Sequence, residues 1–350
     1  LTKSTFGLRD SPEMDFDLSE DQLALRSGAA DVLDDLASPA RVRAHTTTNA
    51  PYDTALWEAM VEQGWLGVER PETDGGLGLG AVEVAVLVEE LGRHAAPAPF
   101  VPTVLALGAF AEAGEREWVE RLLGGEVLAC VAWDASAPVP YAPSADVALV
   151  LADDGVYAME LTERPRREPA MDLTRELGWL PFEPSRARRI GDGEARMRLL
   201  DRGATFTSAD LLGGAARALD LAVEYAKDRV QFGRPIGSFQ AVKHRCADML
   251  VDVEGMRSTV YWAAWCIGAR DLDASVSAST AKVWCSDASR RVMASALQVH
   301  GGIGFTWEHD LHFFLKRAQL DQLAFGDATL HRERLAMLLR TRVEAGESVV

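Results

Sequence analysis

Residues 211–239 read LLGGAARALDLAVEYAKDRVQFGRPIGSF, and this stretch decides the architecture. Leu212, Ala215, Ala216, Leu219, Ala222, Val223 and Ala226 recur at three- and four-residue spacing, which places them on one face of a helix. Thr207 or Ser208 stands where a cap would open that helix. Gly233, Pro235 and Gly237 stop it and turn the chain through a charged corner. A second long helical pattern follows at once. Long helices joined by short turns predict a bundle, with Arg229, Phe232 and Gln240 around a polar corner, open to a ligand or another subunit.

Downstream, helical patterns cover 208–230, 239–269, 275–299 and 319–341, with a loop at 300–317. Tyr261, Trp262 and Trp265 read as core or subunit contact rather than a cofactor stack. Upstream, VLACVAW (127–133), DVALVLA (146–152), GVYAMEL (155–161) and EARMRLL (194–200) are short runs bounded by Pro, Gly or Asp, as strands are. Seven prolines between 138 and 184 predict a short, irregular sheet. Before it the chain is helical again: a capped start at Ser19, then 52–63, 81–93 and 103–123. A polar connection at 38–50 and a glycine-rich loop at 64–80 separate these helices, and residues 1–15 read as frayed. The expected fold is mainly α with a small β domain: an N-terminal helical domain (1–125), a reduced middle β domain (126–204) and a C-terminal four-helix bundle (205–350).

With 350 residues, 48% of them hydrophobic, the chain can bury a real core and form two or three structural units. A net charge of -17 argues against nucleic acid or an anionic membrane as the main partner, though not against a local basic site for a nucleotide or coenzyme A ester. Cys130, Cys246, Cys266 and Cys285 follow no metal spacing and read as buried free thiols. No apolar run approaches the ~20 residues that span a bilayer, and no signal-peptide pattern is present. A soluble, cytoplasmic protein is expected.

QVHGGIGFTWEHD (298–310) is a second candidate site. Gly301, Gly302 and Gly304 allow close backbone approach and free N–H groups, which suits a pyrophosphate; a plain helix-ending turn is the other reading. No strand precedes it, so it is not a Rossmann fingerprint. His300, His309 and His312 lack the carboxylates that would make a metal site, and none is expected. The motifs of serine hydrolases, P-loop enzymes, zincins and dithiol oxidoreductases are all missing.

YAKDRVQFGRPIGSFQAVKHRCADM (225–249) and ALQVHGGIGFTWEHDLHFFLKRA (296–318) closely resemble the C-terminal half of the acyl-CoA dehydrogenases. FDLSEDQLALR (16–26) and WLGVERPETDGGLGLG (65–80) agree, so the resemblance covers nearly the whole chain. It implies FAD, dimers or tetramers, and oxidation of an acyl-CoA thioester to its trans-2-enoyl product, with electron-transfer flavoprotein as acceptor. In such enzymes a carboxylate base removes the α-proton while the flavin takes the β-hydride, and each flavin is shared between subunits. The neighbour-side residues of that arrangement match Arg229, Phe232, Gln298, Gly301, Gly302 and Gly304, with Gln240 as a further adenosine-side candidate. A guanidinium suits a pyrophosphate.

The other half departs from the pattern. The family's T-E-P-x-x-G-S-D and W-I-T/S elements are absent from VAWDASAPVPYAPSAD (131–146). Its Y-E-G-T segment falls on Phe325-Gly326-Asp327-Ala328, with Gly326 at the glutamate position, and the alternative glutamate position of another branch falls at about Gly203. Asp327 is a candidate displaced base, although it also reads as the cap of a following helix; Asp210 is a weaker candidate. Retained residues on one side of a shared flavin site and losses on the other resemble the base-lacking partner in bacterial α2β2 acyl-CoA dehydrogenases that act on steroid side chains. The expectation is therefore an accessory subunit, inactive alone, sharing FAD with a related base-bearing chain. A self-sufficient homomeric enzyme using Asp327 and a non-catalytic scaffold are the rivals.

Overall fold

A computed structural model describes residues 17–346; the stretch expected to fray at 1–15 lies outside the described residues. Helix α1 (Glu20–Leu36) begins at a reciprocal capping box: the Ser19 hydroxyl accepts from the Gln22 N–H, and the Gln22 side chain accepts from the Ser19 N–H. The connection expected at 38–50 contains a helix instead, α2 (Pro39–Thr46), opened by a proline whose fixed φ suits the first helical position. Helix α3 (Thr54–Glu62) starts at an Asp53 cap, and α4 spans Ala81–Arg93. The single pattern expected over 103–123 is two helices, α5 (Phe100–Glu112) and α6 (Arg116–Leu123), because Gly114 turns the chain at a φ of 75°.

The strands are β1 (Ala129–Ala132), β2 (Val139–Pro140), β3 (Val147–Ala152), β4 (Gly155–Glu160), β5 (Arg167–Glu168), β6 (Leu177–Gly178) and β7 (Arg188–Gly191). They form a 4-stranded sheet in the order β1-β3-β4-β7 and a 3-stranded sheet in the order β2-β6-β5. Only β1 and β3 pair in parallel, Ala129 opposite Val147; the other pairs are antiparallel. The strand expected at 194–200 is instead the first part of a long helix, α7 (Gly193–Asp228). Asp192 caps it by accepting from the Ala195 N–H, and Leu199, Leu200, Ala204 and Phe206 continue its buried face. Thr207 and Ser208 are therefore interior residues rather than caps; the Ser208 hydroxyl donates to the Ala204 carbonyl, 2.7 Å away.

A two-stranded corner, β8 (Val230–Gln231) and β9 (Arg234–Pro235), separates α7 from α8 (Gln240–Gly268), followed by α9 (Ala274–His300). The loop expected at 300–317 gives way to α10 (Leu311–Asp321), whose Leu311, Phe314 and Ala318 bury one apolar face. The helix expected at 319–341 is broken at 322–327, and α11 (Ala328–Glu344) follows.

Helix α7 is the axis of the bundle, packed by α4, α8, α9 and α10. Its crossing with α4 is unusually close: a Cβ on Gly213 would fall inside the Glu89 carbonyl oxygen, and one on Gly92 inside the Asp210 carbonyl. Beside that crossing the buried Glu89 carboxylate accepts from Tyr261 at 2.6 Å, from Arg26 at 3.2 Å and from Arg257, tying α1, α4 and α8 together. A buried charge so enclosed avoids the desolvation cost of an unpaired one. Cys130, Cys266 and Cys285 are buried free thiols as expected, whereas Cys246 is only half-buried. Among the described residues no helix is long and apolar enough to cross a membrane.

Candidate functional site

Two corners of the bundle meet at one end. At the first, α7 stops at Asp228 and Arg229 leaves in an extended conformation, its N–H donating to the Tyr225 carbonyl. Val230 pairs with Pro235 and Gln231 with Arg234 around a two-residue turn in which Phe232 and Gly233 both have positive φ, 55° and 79°. The turn pushes Phe232 outward, 91% exposed, its ring edge-on to Phe239 at 6.1 Å. The Arg234 guanidinium lies 4.1 Å over the Phe239 ring. The Arg229 side chain is exposed and, among the described residues, makes no ion pair; Gln240, also exposed, opens α8.

The second corner is the end of α9. Gln298 is exposed on the last turn, and Gly301, at a φ of 63°, lets the chain leave into a 3-10 turn over Gly301–Phe305. Its three glycines are not equivalent. Among the described residues, and apart from the adjoining backbone, no atom lies within 4 Å of where a Cβ would stand on Gly301 or Gly302, so an approaching group has room there. Gly304 is buried, and a Cβ there would meet the His300 Cβ at 3.0 Å, so it serves packing. The Gly301 N–H already donates to the Leu297 carbonyl, contrary to the expectation of free N–H groups along the whole loop.

Tyr225 joins the corners. Its ring stacks on buried His300 with centroids 4.8 Å apart and planes at 27°, and His300 in turn meets His309 edge-on at 4.3 Å. Burial lowers the pKa of both imidazoles. The His300 Nδ1 faces the Ala296 carbonyl, and the His309 Nδ1 accepts from the Leu311 N–H. These rings are structural, and among the described residues no group of three or more His, Cys, Asp or Glu side chains could hold a metal. Arg43, on the helix that the sequence reading missed, reaches from the N-terminal unit to the Trp307 carbonyl and the Asp310 carboxylate and so fixes the far side of the loop.

The two glycines expected at the carboxylate positions, Gly203 and Gly326, lie elsewhere, and in contact with the same residue. Phe325, held at a φ of 55°, puts its ring where a side chain on Gly203 would begin. Next to it Gly326 has a φ of 95°, and a Cβ there would meet Leu330 at 2.9 Å and His331 at 3.1 Å. His331, fully buried, donates from Nε2 to the Phe325 carbonyl at 2.8 Å, which holds the bend. Burial drives its pKa down to about 4. Asp327 accepts from the Leu330 N–H at 2.8 Å as the cap of α11. Asp210 is buried between Arg175 and Arg317. Both candidate bases are thus engaged in structural bonds.

Phe325 also lines a cavity of about 200 Å³ between the sheets and the bundle, with Leu91, Phe100, Val101, Val139 and Leu323 among its apolar walls. Its polar end is a charge cluster no sequence motif announced: Arg175, from the loop before β6, pairs with both Asp210 and Asp321, and Arg317 donates to the Ala96 carbonyl. Burial raises the pKa of Asp321, with Arg175 opposing it, and lowers that of Lys282, which donates to the Asp321 carbonyl.

Helical units on either side of a small sheet, with a glycine loop beside an exposed Arg-x-x-Phe-Gly corner, define a flavin dehydrogenase scaffold, and the chain belongs to the acyl-CoA dehydrogenase family. The family's N-terminal domain profile matches residues 19–126 and its C-terminal domain profile residues 191–339. Among curated relatives, the chain is 37% identical over 306 residues to the acyl-CoA dehydrogenase IpdE2 of Mycolicibacterium smegmatis, covering 86% of this chain and 93% of that protein. It is 35% identical to IpdE2 of Mycobacterium tuberculosis, covering 94% and 98%. Among solved structures it resembles a chain of the ChsE4-ChsE5 complex from Mycobacterium tuberculosis, with a TM-score of 0.84, 29% identity and coverage of 93% and 99%. The Tcur3481-Tcur3483 steroid acyl-CoA dehydrogenase gives 0.85, 29% and the same coverage.

Proposed function

We propose that this chain is the accessory subunit of a heteromeric FAD-dependent acyl-CoA dehydrogenase, completing a flavin site whose base is supplied by a related partner chain. The observation that carries the reading is the asymmetry between the two regions: Gly203 and Gly326 lack a carboxylate and are crowded by Phe325, Leu330 and His331, while the corners stay open. Arg229, exposed and without an ion pair among the described residues, and the open backbone at Gly301 and Gly302 fit a diphosphate, and two complexes of unlike chains are among its structural neighbours. FAD, when bound, supplies the hydride acceptor for oxidation of the acyl thioester. Arg229 would hold the diphosphate, Phe232 would cover it from the turn, Gln240 and Gln298 would supply amide contacts, and the open backbone at Gly301 and Gly302 would give it room. The chain alone is inactive in this reading, and the complex passes electrons to an electron-transfer flavoprotein in the cytoplasm. The likeness to a steroid dehydrogenase favours a steroid side-chain CoA ester as substrate. The division at 1–125, 126–204 and 205–350 belongs to the same reading, with its second boundary inside α7.

The test is flavin content and native mass, measured on the chain alone and co-expressed with related acyl-CoA dehydrogenase chains. The expected result is little flavin alone and one FAD per unlike pair in an α2β2 complex. One FAD per chain in an active homo-oligomer would overturn the reading and return attention to Asp327; an unchanged flavin content after Arg229→Ala would favour a scaffold.

A further inference from the structure

We infer that a separate cleft, where the N-terminal helices α1, α2 and α4 meet α7 and α10, binds a small organic ammonium ion with an apolar body, its cationic head held by the Glu90 carboxylate. The cleft contains none of the residues assigned to the diphosphate, and the inference does not depend on how flavin is shared.

Glu90 carries the argument. It stands in the last turn of α4, its side chain only 6% exposed. Among the described residues neither of its carboxylate oxygens accepts a hydrogen bond; Arg26 Nε and Arg93 Nε, its ion-pair partners, are both 3.9 Å away. Both guanidiniums donate to other acceptors, Arg26 to Glu89 and Tyr261, Arg93 to Asp220 at 2.8 Å. The neighbouring His94 ring is engaged by the Glu90 backbone carbonyl and by Asp34. The Glu90 oxygens are not sealed, as the Asp210 Oδ1 and the Asp321 Oδ2 are; they keep accessible surface on the cleft. A carboxylate withdrawn from water without hydrogen bonds is costly. The group it lacks is a donor, and a positively charged donor answers both the bond and the charge. Burial raises the Glu90 pKa, with Arg93 opposing, so a cation beside it favours the ionised form.

The walls define the rest of the ligand. The cleft holds about 220 Å³, and Ala30, Val42, Leu221, Phe313 and Phe314 supply its apolar side. A dry engineered cavity of about 150 Å³ takes up benzene, so the body is one ring or a short branched chain. Of the cations on the walls, Arg93 is matched by Asp220 and Arg217 by Glu224 at 3.9 Å, while Asp34 and Asp310 add negative charge. The close crossing of α4 and α7 at Gly92 and Gly213 fixes the two sides of the cleft relative to each other.

The test titrates the full chain by calorimetry with benzylammonium and with benzyl alcohol, which share ring and length and differ in charge. Benzylammonium is expected to bind at least tenfold more tightly than the alcohol, the worth of a charge-assisted contact. Glu90→Gln is expected to remove most of that preference while leaving the alcohol within about twofold, and Ala30→Phe, which fills the cleft from a half-buried wall, to abolish binding of both. Independently of any variant, the Glu90 Cδ resonance is expected to move with benzylammonium and not with the alcohol. Equal binding of the two probes overturns the inference, as does absence of benzylammonium binding, a Glu90→Gln effect equal for both, or a Glu90 resonance indifferent to the cation. Should Glu90→Gln fail to fold, the native comparison and the resonance decide.

Discussion

The Phe325 ring lies directly on the α-carbon of Gly203, so close that no side chain fits at position 203 while the ring stays in place. The pair makes a quantitative expectation possible. Gly203→Ala would gain about 1 kcal/mol of helix propensity but force overpacking of about 1–3 kcal/mol, so net destabilisation is expected. Phe325→Ala alone should cost about 3–5 kcal/mol as a large-to-small core change. Combined, the two changes should cost less than their sum, and urea denaturation of the four proteins measures that coupling. Additive costs would show that ring and glycine are not in contact.

His331 makes the bend at Phe325 sensitive to acid. Its folded pKa of about 4 lies below the ordinary imidazole value of about 6.5, so the unfolded chain binds the proton more readily. Its contribution is therefore full above pH ~6.5 and declines as pH falls toward about 4, by about 3 kcal/mol in all. A thermal unfolding series between these limits should slope downward with falling pH, and His331→Gln should flatten it.

Arg175 has no substitute in its cluster. Arg175→Met leaves Asp210 and Asp321 facing each other across a buried site, with Arg317 ion-paired directly to the first and acting on the second only from farther off. A loss of about 3–5 kcal/mol is expected from denaturant unfolding, because one partner of a buried ion pair is removed while the other stays.

Arg229 should behave in the opposite way. It is exposed and pairs with nothing among the described residues, so Arg229→Ala should leave unfolding within about 0.5 kcal/mol of the native chain. In the complex with a partner chain, flavin affinity should nevertheless fall by roughly ten- to a hundredfold, the worth of a charge-assisted contact.

Much of this was legible in the sequence because the relevant signals are local. The apolar spacing from Leu212 to Ala226 and the break at Gly233 located α7's end and the corner, and Ser19 with Gln22 announced α1. The reading of Gly203 and Gly326 as glutamate positions rests on motif resemblance alone. The start of α7 was misplaced because Glu194–Leu200, taken by itself, alternates well enough to pass for a strand, and the deciding cap at Asp192 lies just outside that run. α10 was hidden among glycines and histidines that look like loop. The cluster of Arg175, Asp210, Arg317 and Asp321 could not be seen at all, since its members come from separate elements and meet only when the sheets dock on the bundle.

Helix α7 has one consequence beyond packing. At about 1.5 Å per residue, its run from Gly203 to Arg229 spans about 39 Å. A molecule gripped at the corner is therefore out of reach of the cavity in the same chain. Occupancy of one end can inform the other only if the helix slides or rotates as a rod, and its glycine-tight crossing with α4 at Gly92 and Gly213 is the fulcrum that resists such movement.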